Sequence, residues 1–338
     1  MLLLEALLVV LLVANPVAAA PFGTVNEPVL LNQHNEHEMI TRLAFQCPDG
    51  ESSDGICFEP ATLDQLAGTH SFLVGLGENG GVGAPDSLLP EGPEAHCDDA
   101  DFLDIPGYPR ARWEATAQLQ ACVNHLRLRF EQAWRSASRL LDSQAQISND
   151  MVDLDDDCPF DFEDIGSVNM AGRAKCNVLE GFGRALHGVQ DFYSHSNWAD
   201  QADPTEAISI DNPPGLGMES TAPFLDLGAT TDISSQIPTN LTTGCFTLNP
   251  LGCQDRITHS VLNKDHGEIN LDGTFGEVGQ GTDRGQIPGN FQQAVRGAVL
   301  DSQGQWARLR SRIRSEYGAE RGDLMICALV RDDPARDC

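Results

Sequence analysis

Three residues near the middle of the chain are placed to do chemistry together: His187, Asp191 and His195 recur at intervals of four. On a helix turning about 100° per residue they fall within an arc of roughly 80°, stacked on one face. Two imidazoles and a carboxylate converging from one side are suitable ligands for zinc, which takes nitrogen and oxygen donors. A single buried histidine beside an aspartate is more often a satisfied core pair. Three such groups at strict spacing argue instead for a metal.

The element that must carry them is a helix over about residues 168–198. Val178, Leu179, Phe182, Ala185, Leu186, Val189 and Phe192 recur at helical spacing and give that helix an apolar face. Gly183, one turn before His187, adds no side chain to the polar stripe, so a second ligand-bearing segment can approach closely. Three more helices are predicted. The first, over 34–45, has Met39, Ile40, Leu43 and Ala44 on its apolar face and carries His37. The second runs from Arg112 to Gln146 through Leu119, Cys122, Val123, Leu126, Phe130, Ala133, Trp134, Ala137, Leu140 and Leu141. His125 falls among these residues and is assigned no role. A final helix over about 288–317 buries Phe291, Ala294, Val295, Ala298, Val299, Trp306, Leu309 and Ile313. Its last turns carry Arg308, Arg310, Arg312 and Arg314, favourable at a helix C-terminus.

The connections read as loops. The glycine-rich run from Gly75 to Asp86 is no phosphate cradle, because no Lys-Ser/Thr follows its glycines. Asp153, Asp155 and Asp157 open like a calcium loop, but Cys158 stands where the sixth-position glycine is needed. Residues 200–256 are rich in Pro, Thr, Gly and Asp. No internal repeat and no long alternating pattern is present. The expected architecture is mainly α, a single-domain helical bundle over residues 21–338 with long disulfide-tied loops.

Residues 1–20 combine an apolar run with small residues around Ala18, Ala19 and Ala20, the pattern of a secretory signal peptide, although Glu5 replaces the usual positive charge. No run is long enough for a membrane span. All ten cysteines lie beyond that segment, and an even count in an exported chain predicts disulfides. Cys47–Cys57, Cys245–Cys253 and Cys327–Cys338 are expected local pairs, with Cys97, Cys122, Cys158 and Cys176 forming two more in an open connectivity. No C-x-x-C pair supports a cysteine zinc cluster. Asn240-Leu241-Thr242 is an N-glycosylation sequon, expected on an exposed loop of a secreted protein. The formal charge of −29 repels nucleic acid and anionic membranes at long range. Any phosphate substrate must therefore be captured locally.

The stretch His187-x-x-x-Asp191-Phe192-Tyr193-Ser194-His195-Ser196-Asn197-Trp198 resembles the signature of the fungal heterokaryon-incompatibility Het-C proteins. The amino-terminal domain of some von Willebrand factor A-containing animal proteins shares that signature. Both are in turn similar to the zinc-dependent phospholipase C and single-strand nuclease superfamily, all-α enzymes with three zinc ions. His37-Glu38-Met39-Ile40 resembles a segment near the start of bacterial phospholipases C, and Asp86 with His96 resembles the loop ligands before their central helix. The resemblance implies one to three zinc ions. Asp86, His96, His187 and Asp191 would hold one cluster, His37 a further ion, and His195 with His259 another. In the enzymes an acidic residue follows the last histidine by four, where this chain has Asn263.

Zinc ions so held turn bound water into a nucleophile near neutral pH and clamp phosphodiester oxygens. Asp86 is the expected catalytic residue, orienting or deprotonating that water. No G-x-S-x-G elbow and no nucleotide-binding glycine fingerprint competes. Two functions follow. One is a secreted zinc-dependent phosphodiester hydrolase acting on a small-molecule or phospholipid substrate rather than nucleic acid. The other is a non-catalytic Het-C-like recognition or structural protein with a degenerate metal site.

Overall fold

The computed structural model describes residues 22, 26–27, 33–69, 80–86, 91–160, 171–247, 252–276, 279 and 282–338. The expected signal segment lies outside them. Eleven α-helices are present among the described residues. In chain order they are α1 (Glu36–Phe45), α2 (Pro60–Ala67), α3 (Gly80–Gly83), α4 (Arg112–Ser136), α5 (Asn149–Val152) and α6 (Ala174–His195). After these come α7 (His259–Leu262), α8 (Asp283–Gln286), α9 (Asn290–Tyr317), α10 (Ala319–Val330) and α11 (Pro334–Asp337). The only described strands are β1 (Asn26–Glu27) and β2 (Gln33–His34), a short antiparallel pair. The chain is mainly helical.

The helix carrying the ligand triplet is the axis of the molecule. It packs on α4, α9 and α3, and every residue from Ala174 to His195 is buried. The sequence pattern implied one apolar face, but the polar face is covered too. Loops and α1 close over it, because a stripe of histidine and aspartate can be buried only against partners. From α4, Leu119, Cys122, Val123, Leu126, Phe130 and Ala133 face inward at spacings of three and four. Glu114 caps the start of α4 by accepting from the Ala111 N–H at 2.7 Å. The helix ends earlier than its apolar pattern, tightening into a 3-10 turn at Ala137–Leu140, whose Leu140 is still buried.

The helix over 290–317 is not the last. Gly318, at φ 87°, turns the chain into α10, whose Met325, Ile326, Ala328, Leu329 and Val330 join the same core. One hydrophobic cluster runs from Phe22 through Phe45, Phe130, Phe182 and Trp306 to Val330. The arginines at the end of α9 are used locally: Arg308 pairs with Asp226, Arg314 with Asp323, and Arg312 lies 4.5 Å over the Trp134 ring.

Five disulfides tie the loops: Cys47–Cys57, Cys97–Cys122, Cys158–Cys176, Cys245–Cys253 and Cys327–Cys338. The second and third settle the open connectivity. Together they fit an oxidising compartment. No described helix is long and apolar enough to cross a membrane. The calcium-like run is not arranged for an ion, since the Arg173 guanidinium donates to the carbonyls of Asp153, Asp156 and Asp157.

Candidate metal centre

Two glycines of α6 decide which segments reach its polar face. A Cβ on Gly183 would lie 2.3 Å from the Gly81 carbonyl carbon, and one on Gly188 would lie 2.3 Å from the Ala95 oxygen. The first contact seats α3 and the following 3-10 turn Ala84–Asp86 beside His187. The second seats Ala95 and with it His96. Glycine is required at both positions because backbone, which cannot step aside, occupies the space.

Beyond His96 the chain kinks. Cys97 and Asp99 both adopt left-handed backbone, at φ 56° and 66°. The bridge from Cys97 to Cys122 holds this kink against α4. His96 then points to one half of the site and Asp98 to the other. From the far side, Gly244 N–H donates to His195 O at 3.1 Å, and His259 N–H donates to Cys245 O at 2.8 Å. The single-turn helix α7 therefore lies against the end of α6.

Asp191 is the hub. Its Oδ2 lies 2.8 Å from His96 Nδ1 and 3.0 Å from His187 Nε2, and its Oδ1 lies 3.1 Å from His37 Nε2 and 3.8 Å from His195 Nε2. Asp86 Oδ1 completes the first half at 3.7 Å from His187 and 3.9 Å from His96. In the second half, Asp98 Oδ1 lies 3.2 Å from Nδ1 of both His195 and His259. Asp265 faces the opposite edges of the same rings, 3.3 Å from His195 Nε2 and 3.7 Å from His259 Nε2.

Three groupings bring ligand atoms within 4.8 Å of one another: His37, His187 and Asp191; Asp86, His96 and His187; Asp98, His195 and His259. Two ligands on a tetrahedral zinc stand ~3.3 Å apart, given bonds of ~2.0–2.1 Å. The separations here bracket that value. A fourth grouping, Asp99 with Cys245 and Cys253, is no ligand set, because the two sulfurs are bonded to each other.

The hydrogen bonds fix which ring nitrogens are free. Gln190 Nε2 donates to Thr41 Oγ1 at 3.0 Å and Ser302 Oγ at 3.3 Å, so its Oε1 accepts from His37 Nδ1 at 2.8 Å. His187 Nδ1 donates to the Val82 carbonyl at 2.9 Å. In both rings the Nε2 edge is thereby turned toward Asp191. A ring nitrogen so placed against a carboxylate is satisfied by a proton or by a metal cation between them, and His187 Nε2 also lies 2.9 Å from His96 Nδ1. Outer hydrogen bonds that orient a ring in this way are the usual support of metal-ligating histidines. Six buried ligand atoms have no hydrogen-bond geometry to any described partner: His37 Nε2, Asp191 Oδ1, both His195 nitrogens, His259 Nε2 and Asp265 Oδ2. Orphaned polar atoms at this density are costly in a core unless something binds them. The donor set fits zinc.

The same proximity sets the charges. Burial pulls the His96 imidazole down, but its bond to Asp191 outweighs this and holds it up to about 9. Burial is likewise outweighed at His195, chiefly by Asp98, and at His37, chiefly by Asp191, so both are raised. His187 is lowered, because burial dominates there, and it stays in the neutral form that binds metal. Burial would raise Asp191, but His187, His195 and His37 hold it well below the usual carboxylate range. Asp98 is held down to about 2 by His259 and His195 despite its burial.

Every residue read from the sequence as a ligand therefore lies in one site: His37, Asp86, His96, His187, Asp191, His195 and His259. Two were missed, Asp98 and Asp265. Asp98 sat unmarked in an acidic run. Asp265 takes the place at His259 where the resemblance pointed to Asn263; α7 stops at Leu262, and the extended chain brings in the carboxylate three residues after it. Asn263 is itself buried, with neither amide atom hydrogen-bonded among the described residues. His125 lies apart and pairs with Glu91 at 3.0 Å. Set against known proteins, the chain matches no family model, no curated protein and no solved structure.

Proposed function

We propose that the chain is a zinc-dependent hydrolase of phosphodiesters, with a phospholipid headgroup ester favoured over nucleic acid. The observation that carries this reading is the gathering of five imidazoles and three further carboxylates around Asp191, with six of their buried atoms lacking hydrogen-bond geometry to any described partner. Asp86, His96 and His187 with Asp191 Oδ2 would hold one ion, His37 with Asp191 Oδ1 a neighbouring one, and Asp98, His195 and His259 beside Asp265 a third. Zinc so held supplies a water acidic enough to attack near neutral pH and a clamp for phosphoryl oxygens. The resemblance to the Het-C proteins and to the phospholipase C superfamily supports the same assignment.

Asp86 is the residue best placed to act on a substrate. It is 12% exposed, whereas Asp191, His187, His195 and Asp265 are sealed at 0%. Its carboxylate reaches the edge of the cluster and remains open to solvent, so it can accept a proton from an attacking water. His37 and His187, with their Nδ1 protons committed to Gln190 and Val82, act as fixed ligands rather than as acids. The net charge of −29 disfavours approach of a polyanion and leaves zwitterionic esters as the better substrates.

The deep burial of most ligands favours a second reading, a Het-C-like recognition or structural protein whose closed metal sites hold helices together. The two separate in one experiment. Metal content is measured alongside turnover of p-nitrophenylphosphorylcholine, with and without chelator, for the wild type and Asp86→Asn. The hydrolase reading expects chelator-sensitive turnover, with Asp86→Asn retaining most of its metal and losing activity. Zinc-loaded wild type that turns over no phosphodiester establishes the structural reading instead.

A further inference from the structure

Away from the metal centre, the sequon at Asn240 lies next to the most exposed tryptophan of the chain. Asn240 is exposed in a turn, closed by the Leu241 N–H donating to Pro238 O at 3.1 Å. This turn is bolted to the start of α4. The Arg112 guanidinium donates to Leu241 O at 2.8 Å and to Pro238 O, while lying 5.4 Å over the Phe102 ring. The next residue, Trp113, is 72% exposed. Between turn and helix runs a cleft of about 850 Å³, lined by Trp113, Thr116, Gln120, Asp232, Ser234 and Thr239. An aromatic face with hydroxyl, amide and carboxylate groups around it is the chemistry that holds a sugar: the ring's C–H face stacks and its hydroxyls hydrogen-bond.

We propose that Asn240 carries an N-linked glycan whose first sugars lie in this cleft against Trp113. In the attachment step Asn240 Nδ2 bonds to the anomeric carbon of a lipid-linked oligosaccharide. The lipid diphosphate leaves with the bonding electrons, and the amide gives up one proton. The occupant of the cleft is thus the chain's own modification, which explains why so large an indole stands uncovered in the bare polypeptide.

The fold also dictates when the step occurs. The Thr242 hydroxyl, which the transferase must reach, is fully buried and accepts from the Phe102 N–H at 2.9 Å. Asn197 clamps the same turn, donating to Asn240 O at 2.8 Å and accepting from the Thr242 N–H at 2.9 Å. Modification therefore precedes folding of this turn, and the folded, unmodified chain is not a substrate.

Expression through a eukaryotic secretory pathway tests this. Intact mass should show a glycan at residue 240 that is absent from Asn240→Gln and retained by Thr242→Ser. Acrylamide quenching then tests the cleft. Trp198 and Trp306 are 1% exposed and Trp134 is half-buried, so quenchable emission comes mainly from Trp113. Quenching in the glycosylated protein should fall toward that of Trp113→Phe and rise again after enzymatic glycan removal, a comparison that holds even if Asn240→Gln is not secreted. A secreted protein with residue 240 unmodified overturns the proposal. A glycan whose removal leaves quenching unchanged overturns its placement in the cleft.

Discussion

Replacing Asp191 by asparagine removes a charge and almost no volume, from a position where four imidazoles meet. His96, His187 and His37 lie within 2.8–3.1 Å of its two oxygens, and His195 at 3.8 Å. Asparagine can present one oxygen to one half of the site, but its amide group must face the other. In the metal-free protein the raised rings lose their counter-ion inside the core. Breaking a buried pair from one side costs about 3–5 kcal/mol. For a chain of this size that lowers the melting temperature by roughly 4–8 °C, at about 1.5 °C per kcal/mol. In the presence of metal the loss is larger, because an amide is a poor zinc ligand and cannot offset the ions' charge. Affinity should fall by more than the ~10–100-fold that outer-shell partners typically cost. The assay is scanning calorimetry of wild type and Asp191→Asn, each with chelator and with added zinc, alongside metal content after dialysis. A variant that keeps the full metal content and melts with the wild type would refute the role of Asp191 as hub.

Other outcomes follow from the same geometry. Gln190→Leu leaves His37 Nδ1 without an acceptor, so the ion nearest His37 should bind ~10–100-fold more weakly while the others stay; stepwise zinc titration reads this. Chelated protein should lose stability as pH rises. The His96 ring, at about 9 when folded against an ordinary 6.5, contributes fully below about pH 6.5. That contribution, about 3 kcal/mol, is lost by about pH 9, and denaturant melts at the two ends measure it. Asp301 acts at acid pH. Burial raises it to about 6 from 3.8, so its contribution falls as pH climbs between those values, by about 3 kcal/mol, and Asp301→Asn should flatten that slope. His125→Ala should leave metal content unchanged, since that ring touches Glu91 and not the cluster.

What could be read from the sequence was whatever repeated. The spacing of His187, Asp191 and His195 follows from helical geometry alone, and the apolar runs located α1 and α9 to within two residues, while α6 starts six residues later than expected and α4 ends ten earlier. Gly183 announced a close approach, and the approaching backbone is Gly81. Loop ligands carry no such period. Asp98 turns inward only because Cys97 and Asp99 take left-handed backbone, a choice no local pattern marks. Asp265 was hidden because the resemblance pointed to the fourth residue after His259, whereas α7 ends at Leu262 and the extended chain brings in the carboxylate at the sixth. The outer supports, Gln190 and the Val82 carbonyl, become visible only once α1 and α3 are packed on α6. The helix α10 was not predicted; it follows Gly318, whose left-handed backbone turns the chain at the end of α9.

We propose that this buried cluster holds metal. Elemental mass spectrometry of the purified protein, secreted without an affinity tag that binds metal and exchanged into metal-free buffer, tests it most directly. One to three zinc ions per chain are expected, removed by chelator with a fall in melting temperature and restored by adding zinc. Protein that is free of metal, melts identically with and without chelator and takes up no zinc would contradict the claim, leaving the cluster as a network of histidine–aspartate ion pairs.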